Sequence, residues 1–505
     1  MERITFYYCA ATLWALLSPF QYGYHTSALN QIQSTLTCHP PESISVPSSI
    51  PSCVPISDAL FGVITAFFTL GGLLGSLSAN LIMDCLGRRG ALLVNAFIIA
   101  IGSTIFAISG GATGFIIARL IIGFGAGIGL CALPIYLAET APPRIRNRVG
   151  VLNQLFITFG ILGTQSIGLP LAKMSLWHWR LVLIVSAILA IVQCFAVVFI
   201  SDTPAWLAAK GRDIQAVEVS RKLWGPNYVE PGPSPTPPAS SSSTPHWSRN
   251  SSRTRDDSAR ILRDDAEQQG LLSEDEADGG GVPRHDPRET SSTIGPTEPI
   301  TVLELLKRKE LRRPVAIVAL SMIAQQGSGI NAVIYYSTSI LGKALPTDAA
   351  IISLLISIMN VLCTVIPVIV IGFYSPRDLL LISTWGSVLS IMALGYGLNA
   401  NLISLSSVAI CIFVGGFAFG LGPVPFMLPA ELVPYYASSA LASFGLSLNW
   451  IANFLIGVAF LPLKDWLAGR SSSGDTDAES GQGNVFFIFS AALVFCGVQI
   501  RRLYR

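Results

Sequence analysis

Three observations predict an all-α polytopic membrane protein: a large excess of apolar over charged residues, a series of apolar runs each long enough to cross a bilayer, and one polar segment that divides those runs six and six. Of 505 residues, 51% are hydrophobic and 12% are charged, and the mean hydropathy is +0.57. A soluble core cannot hide that much apolar surface. The formal net charge of +2 supplies no field that would draw a nucleic acid, so the positions of the charges matter more than their sum.

A span needs about 20 mostly apolar residues, because the hydrocarbon core is about 30 Å thick and a helix rises about 1.5 Å per residue. Such runs occur at 4–29, 58–82, 91–109, 112–138, 149–171, 179–200, 313–341, 348–374, 378–399, 402–429, 436–463 and 484–503. An even number of spans returns both termini to one side. Arg88 and Arg89, then Arg144, Arg146 and Arg148, the segment after Ile200, and Arg501, Arg502 and Arg505 all fall on one face. That excess of cations marks the face, and both termini with it, as cytosolic. The first run is too long for a signal peptide and lacks a small-residue cleavage site, so it is expected to stay as an anchor.

Between Trp224 and Ile300 the composition changes to PGPSPTPPASSSSTP, then to mixed charge, then to DGGG. Such a stretch cannot bury enough apolar surface to offset its chain entropy and is expected to be disordered. The predicted organisation is a six-helix bundle over 1–200, a cytosolic linker over 201–312 and a second six-helix bundle over 313–505, with the disordered region at about 225–300 flanked by short amphipathic helices. TVLELLKRKELRRP, from Thr301 to Pro314, is one of those helices, polar enough to lie at the membrane surface. Within the linker, EQQGLL fits the acidic dileucine pattern, with Glu267, Leu271 and Leu272 as the residues a sorting adaptor would read.

The two sets of six echo each other. AETAP at 138–142 and AELVP at 430–434 each end the fourth run of their set, a shift that carries Glu139 onto Glu431 and Gly123 onto Gly415. A parallel repeat of this kind places solute sites near the membrane midplane, between the repeats. The nine cysteines show no CxxC or Cys/His ligand spacing, and neither a metal nor another cofactor is predicted. Cys38 and Cys53 share the polar loop after the first run, where they form a disulfide if that face is oxidising or stay free. GFGAGIG at 123–129 lacks nucleotide-loop spacing and follows no strand, so it is read as close helix packing. With HExxH and GxSxG also absent, no motif points to an enzyme.

Against this apolar background the amides stand out. Gln154, Gln165, Asn360, Asn449 and Asn453 lie within runs of both halves, and Gln325, Gln326 and Asn331 crowd the seventh. A hexose offers a ring of hydroxyls and an apolar C–H face, so a site for one needs amides and an aromatic plate. The same amides could instead bond neighbouring helices, at about 0.6 kcal/mol each. FQYGYHTSALNQ, at 20–31, raises the matching question for His25. In a cavity it would exchange protons near neutral pH; between helices it would stay neutral and make one hydrogen bond.

Taken in order, FQYGY, DCLGRR, RLIIGFGAG, PIYLAETAPPRIRNRVG, NQLFITFGILGTQ, QQGSGINAVIYYST, GLGPVPFMLPAELVP and NWIANFLIG resemble the sugar porter family of the major facilitator superfamily. The resemblance covers nearly every span. It implies the major facilitator fold, twelve transmembrane helices in two pseudo-symmetric bundles, and transport of a hexose or related sugar by alternating access. It also implies that Gln154, Gln325, Gln326, Asn331, Asn360 and Asn449 contact sugar, with Phe426 as the plate where glucose carriers have tryptophan. Glu139 and Glu431 would pair with arginines, among them Arg88, Arg89, Arg119 and Arg146, to fasten the cytosolic side. His25 stands where facilitative members have asparagine and proton-coupled ones aspartate, which makes it a candidate proton site. Uniport is the first reading, proton symport through His25 the second, and a non-transporting sensor or trafficking protein the rival from another class. The expected location is the plasma membrane or a vacuolar or endosomal membrane. The second half departs from the family: YSPRD leaves Arg377 alone after the eighth span, YYASSA after Glu431 has no arginine, and Ala418 replaces a glutamate. A cytosolic side that opens readily is the expected consequence.

Overall fold

The computed structural model describes residues 5–36, 53–54, 56, 58–142, 144–174, 178–226, 300–331, 349–370, 373–400, 402–467 and 483–504. Met1–Tyr228 and Pro296–Arg505 form one unit, and Val229–Gly295 form another that lies outside the described residues. Glu267, Leu271 and Leu272 of the sorting pattern fall there. Every regular element among the described residues is helical. The first half contains α1 (Phe6–Leu36), α2 (Asp58–Ile108), α3 (Ala112–Thr140), α4 (Arg146–Met174) and α5 (Trp179–Ala196), followed by the short α6 (Pro204–Ala209) and α7 (Asp213–Trp224). The second half runs from the short α8 (Val302–Lys307) through α9 (Arg312–Gly327), α10 (Ala349–Val370), α11 (Pro376–Asn399), α12 (Ile403–Gly416), α13 (Val424–Leu432) and α14 (Tyr435–Leu467) to α15 (Asn484–Leu503).

Eight helical stretches among the described residues are long and apolar enough to cross a membrane. The longest of them, within α2, holds two of the expected spans, joined at Gly87, whose φ of 78° and ψ of 176° interrupt the helix. The tenth span, expected as one run, is broken instead. α12 ends at Gly416, a π-helical turn covers Phe417–Leu421, and Gly422 donates to the Phe417 carbonyl at 2.8 Å. Pro423 and Pro425 explain the break. Neither has an N–H, so the carbonyls four residues earlier lose their ordinary donors.

The GFGAGIG run packs helices together. A Cβ on Gly123 would stand 2.1 Å from the Phe68 carbonyl oxygen, and one on Gly127 2.2 Å from that of Gly72, so α3 lies directly on the backbone of α2. Small residues permit such approach where lipid offers no hydrophobic drive between helices. The two halves meet where α14 packs on α2 and α10 on α4. Trp450 of α14 stands edge-on to Phe68 and to Tyr22, each at 5.8 Å between ring centroids. One buried apolar cluster runs through both halves, and a second lies within the first half around Tyr24, Phe115 and Trp179.

Gly87 is needed twice over. Its backbone is left-handed, and a Cβ there would lie 1.9 Å from Asp202 Oδ2. Asp202 Oδ1 accepts the backbone N–H groups of Arg88, Arg89 and Thr203 at 3.1, 3.3 and 2.8 Å, capping the helix that restarts after the kink. Burial pushes the Asp202 carboxyl above its ordinary range, and these N–H groups and Arg88 pull it back. Gly87→Ala should cost roughly 1–2 kcal/mol from the left-handed backbone alone, with more from displacing Asp202. It is expected to lower the thermal unfolding midpoint of the detergent-solubilised protein, and an unchanged midpoint would contradict this account of the kink.

Candidate functional site

Gln325 and Gln326 stand at the end of α9 and Asn331 just beyond it. The structure brings them to one cavity with Gln154 of α4, Asn360 of α10, Phe426 of α13 and Asn449 of α14. All seven residues expected to meet a solute therefore share one wall, drawn from both halves. The empty space, its open part included, is about 760 Å³. Phe417 and Phe426 are the apolar plates, and both are buried.

A chain of hydrogen bonds holds the second-half amides. Gln325 Nε2 donates to the carbonyls of Leu421 and Gly422 at 3.0 and 2.8 Å. The Leu421 carbonyl is the one that Pro425, lacking an N–H, leaves without a helical donor. Asn449 Nδ2 donates to Gln325 Oε1 at 2.6 Å, Gln326 Nε2 donates to Asn449 Oδ1 at 3.1 Å, and Asn331 Nδ2 donates to Gln326 Oε1 at 3.0 Å and to Asn453 Oδ1 at 2.8 Å. Each amide fixes the rotamer of the next. Gln154 and Asn360 differ: no hydrogen bond to a described residue occupies either side chain, and both face the cavity.

The first half adds residues that the amide pattern alone did not single out. Tyr22, Thr26 and Ser27 of α1 line the cavity, as do Ile157 and Ile161 of α4. Their spacing was the available signal: Tyr22 and Thr26 are i,i+4, and Gln154, Ile157 and Ile161 fall at i, i+3 and i+7 on one face. His25 is elsewhere. It is fully buried with its Nε2 2.6 Å from Ser186 Oγ and 3.1 Å from Ser103 Oγ, in a seam between α1, α2 and α5, and it does not line the cavity. Gln21, one turn earlier on the same face, donates to Gln193 Oε1 of α5 at 2.7 Å.

The residues expected to form a gate separate into three places. Arg88 Nε meets Glu139 Oε1 at 3.1 Å, with the guanidinium 1% exposed, and Thr203 Oγ1 donates to Glu139 Oε2 at 2.5 Å. Arg89 Nη2 donates to the Val197 carbonyl at 3.0 Å, while Arg146 is exposed at the start of α4. Arg119, expected with this group, is instead 20 residues before Glu139 on α3, about 30 Å along the helix. There Arg119 Nη1 donates to the His25 carbonyl at 2.9 Å and the guanidinium covers the Phe68 ring at 4.3 Å. Glu431 is exposed, and no ion pair to a described residue engages it. At this basic end the halves nonetheless meet: Arg88 lies over the Tyr435 ring at 5.0 Å and Ser439 Oγ donates to Asp84 Oδ1 at 3.4 Å, while deeper in the span Ser443 Oγ donates to the Ser76 carbonyl. At the end expected to open readily, the halves are joined through hydroxyl and ring contacts. Cys53 is disulfide-bonded, the seven other described cysteines are free, and Cys38 lies outside the described residues.

The family model for "Sugar (and other) transporter" matches residues 10–235 and 242–501. The chain belongs to the sugar porter family. This sugar porter is 27% identical over 478 residues to vacuolar protein sorting-associated protein 73 of Saccharomyces cerevisiae, covering 93% of this chain and 90% of the relative. It is 28% identical over 458 residues to the human solute carrier family 2, facilitated glucose transporter member 3, covering 88% and 82%. Among solved structures, the XylE proton:xylose symporter bound to 6-bromo-6-deoxy-D-glucose aligns with a TM-score of 0.71 at 19% identity, over 98% of this chain and 95% of that one. That likeness places the chain in the major facilitator fold.

Two amides on the same wall should respond differently to truncation. Asn449→Ala removes bonds to Gln325 and Gln326 and should lower the thermal midpoint by leaving buried amides unpaired, at about 1–3 kcal/mol. Asn360→Ala should leave the midpoint unchanged. Equal shifts in a side-by-side unfolding measurement would contradict the division between held and free amides.

Proposed function

We propose that this sugar porter carries a hexose or closely related sugar across its membrane by alternating access, as a uniporter. The observation that carries the reading is the convergence of six amides and a phenylalanine, from five helices of both halves, on one cavity. The amides answer the hydroxyls of a sugar and the phenylalanines answer its C–H face. Because the wall is shared by both halves, rocking one against the other exposes it to either side in turn.

Uniport is favoured by what the wall contains. No carboxylate or imidazole is among the described residues that line it. His25 is sealed in its seam, and the charged side chain bonded to its backbone is a cation, Arg119, which would oppose a second positive charge. The basic end is read as cytosolic. Arg88 and Glu139 belong to one half and can stay paired in both states, so they do not by themselves bias access. The contacts of Arg88 with Tyr435 and of Ser439 with Asp84 cross between halves and must break for the basic end to open. Only interactions that differ between the states shift the balance, and a few kcal/mol suffice.

A non-transporting role in trafficking is the second reading. It is favoured by similarity to a relative named for vacuolar protein sorting and by the unengaged Glu431. A vacuolar or endosomal membrane, with the dileucine residues of the linker addressed by adaptors, suits either reading.

Purified protein in liposomes should take up labelled hexose, and Asn360→Ala should weaken apparent affinity by about tenfold, the worth of one to two hydrogen bonds. Absence of uptake for every hexose, pentose and polyol tried would favour the trafficking reading. Uptake should be indifferent to an imposed proton gradient, and His25→Asn should leave that indifference unaltered. Sugar-induced alkalinisation that disappears in His25→Asn would establish symport instead.

A further inference from the structure

α8 and the turn after it present an unusual surface. Thr301 and Glu304 form a capping box, in which Thr301 Oγ1 accepts the Glu304 N–H at 3.3 Å and Glu304 Oε2 accepts the Thr301 N–H at 2.9 Å. The carboxylate is thereby committed to the helix start. Leu305 and Leu311 are buried and anchor the segment to the bundle, while Leu303 and Leu306, three residues apart on the other side, are 63% and 44% exposed. Lys307, Arg308, Lys309, Arg312 and Arg313 follow within eight residues of Leu305, against Glu304 and Glu310 as the only acids. Arg308 meets Glu310 at 3.8 Å and lies over the Tyr436 ring, and Arg313 donates to the Leu503 carbonyl. Lys307, Lys309 and Arg312 remain exposed, and no ion pair within 4 Å engages them among the described residues.

An exposed leucine pair beside exposed cations outside any ion pair, at the start of the expected seventh span, matches the two parts of a phospholipid: acyl chains and an anionic headgroup. We propose that this shelf, from Thr301 to Arg313, docks anionic phospholipid of the adjacent leaflet, with Leu303 and Leu306 in the acyl boundary and Lys307, Lys309 and Arg312 on the headgroups. α7 repeats the arrangement in the first half. There Ile214 is 88% and Val217 38% exposed, three residues apart, with Arg221 one turn further along the same face. The shelf also touches both halves through the residue that precedes it. Ile300 donates its N–H to the Tyr436 carbonyl at 3.0 Å and accepts from Asn80 Nδ2 at 3.4 Å. A lipid held here therefore bears on the contact between the halves. The proposal does not depend on what the cavity carries.

The test is thermal unfolding of the purified full chain in neutral detergent, with added phosphatidylserine, phosphatidylcholine or inorganic phosphate. Phosphatidylserine should raise the midpoint and the other two should not. Lys307→Gln, Lys309→Gln and Arg312→Gln together should remove more than half of that shift, and so should Leu303→Ser with Leu306→Ser. Should the combined variants fail to fold, the wild-type chain decides. Its shift must shrink as salt rises from about 0.1 to 1 M, over which the screening length falls from about 10 to 3 Å. An equal shift with phosphatidylcholine, a shift reproduced by inorganic phosphate, a full shift in a folded charge variant, or a salt-independent shift would each overturn the proposal.

Discussion

A backbone carbonyl inside a bilayer must find a donor, and the tenth span is built so that one of them cannot find it in its own helix. Pro425 removes the N–H that would serve Leu421, and no water of the hydrocarbon region can replace it. Gln325 of α9 supplies the bond. Once Gln325 is turned toward α13, its oxygen is placed for Asn449, the Asn449 oxygen for Gln326, and the Gln326 oxygen for Asn331. A proline in one helix thus orders amides from two others, and the ordered row forms one side of the cavity. The order is set by the protein before a solute arrives, which lowers the entropy that binding would otherwise lose.

The pseudo-symmetry of the halves hides a division of labour. Glu139 and Glu431 are equivalent in the repeat, yet one is held, 10% exposed, against Arg88 and Thr203 and the other stands exposed. Gly123 and Gly415 are equivalent as well. A Cβ on the first would meet the Phe68 carbonyl at 2.1 Å, whereas one on the second would meet only Cys363 Sγ at 3.3 Å. The first half is cross-braced at its basic end by ion pair and capped kink, and far from that end by the backbone contact of α3 with α2. The second half contributes hydroxyls and Tyr435 to the same end, contacts that are individually weak.

How much of this was legible in the sequence differs by kind of feature. Apolar run length located the helices because bilayer thickness imposes it, and the glycines of GFGAGIG were readable as packing because lipid leaves helix association few other means. The amides were legible as a set, since a polar group in lipid must have a reason. Which amides bond each other and which stay open was not legible, because it depends on the rotation of α9 against α13 and α14. The break in the tenth span was missed although GLGPVP carries it, because hydropathy is blind to the loss of an N–H. Arg119 was grouped with the gate by its resemblance to a motif, but its position along α3 already placed it about 30 Å from Glu139.

FQYGYHTSALNQ shows the same limit on the scale of one residue. Each step along a helix turns the side chain by about 100°, so Gln21 and His25 share one face while Tyr22 and Thr26 share the next. The first pair faces α5, where Gln193 bonds the Gln21 Nε2 and Ser186 the His25 Nε2; the second faces the cavity. Nothing local chooses between the faces, since both carry polar atoms. The choice is made by α4, whose Ile157 carbonyl would lie 2.0 Å from a Cβ on Gly23 and so fixes how α1 is turned. With α1 pinned at that glycine, the histidine is committed to the bundle interior and the tyrosine to the cavity. The polar atoms of this span are thus divided, packing between helices on one side and lining the cavity on the other.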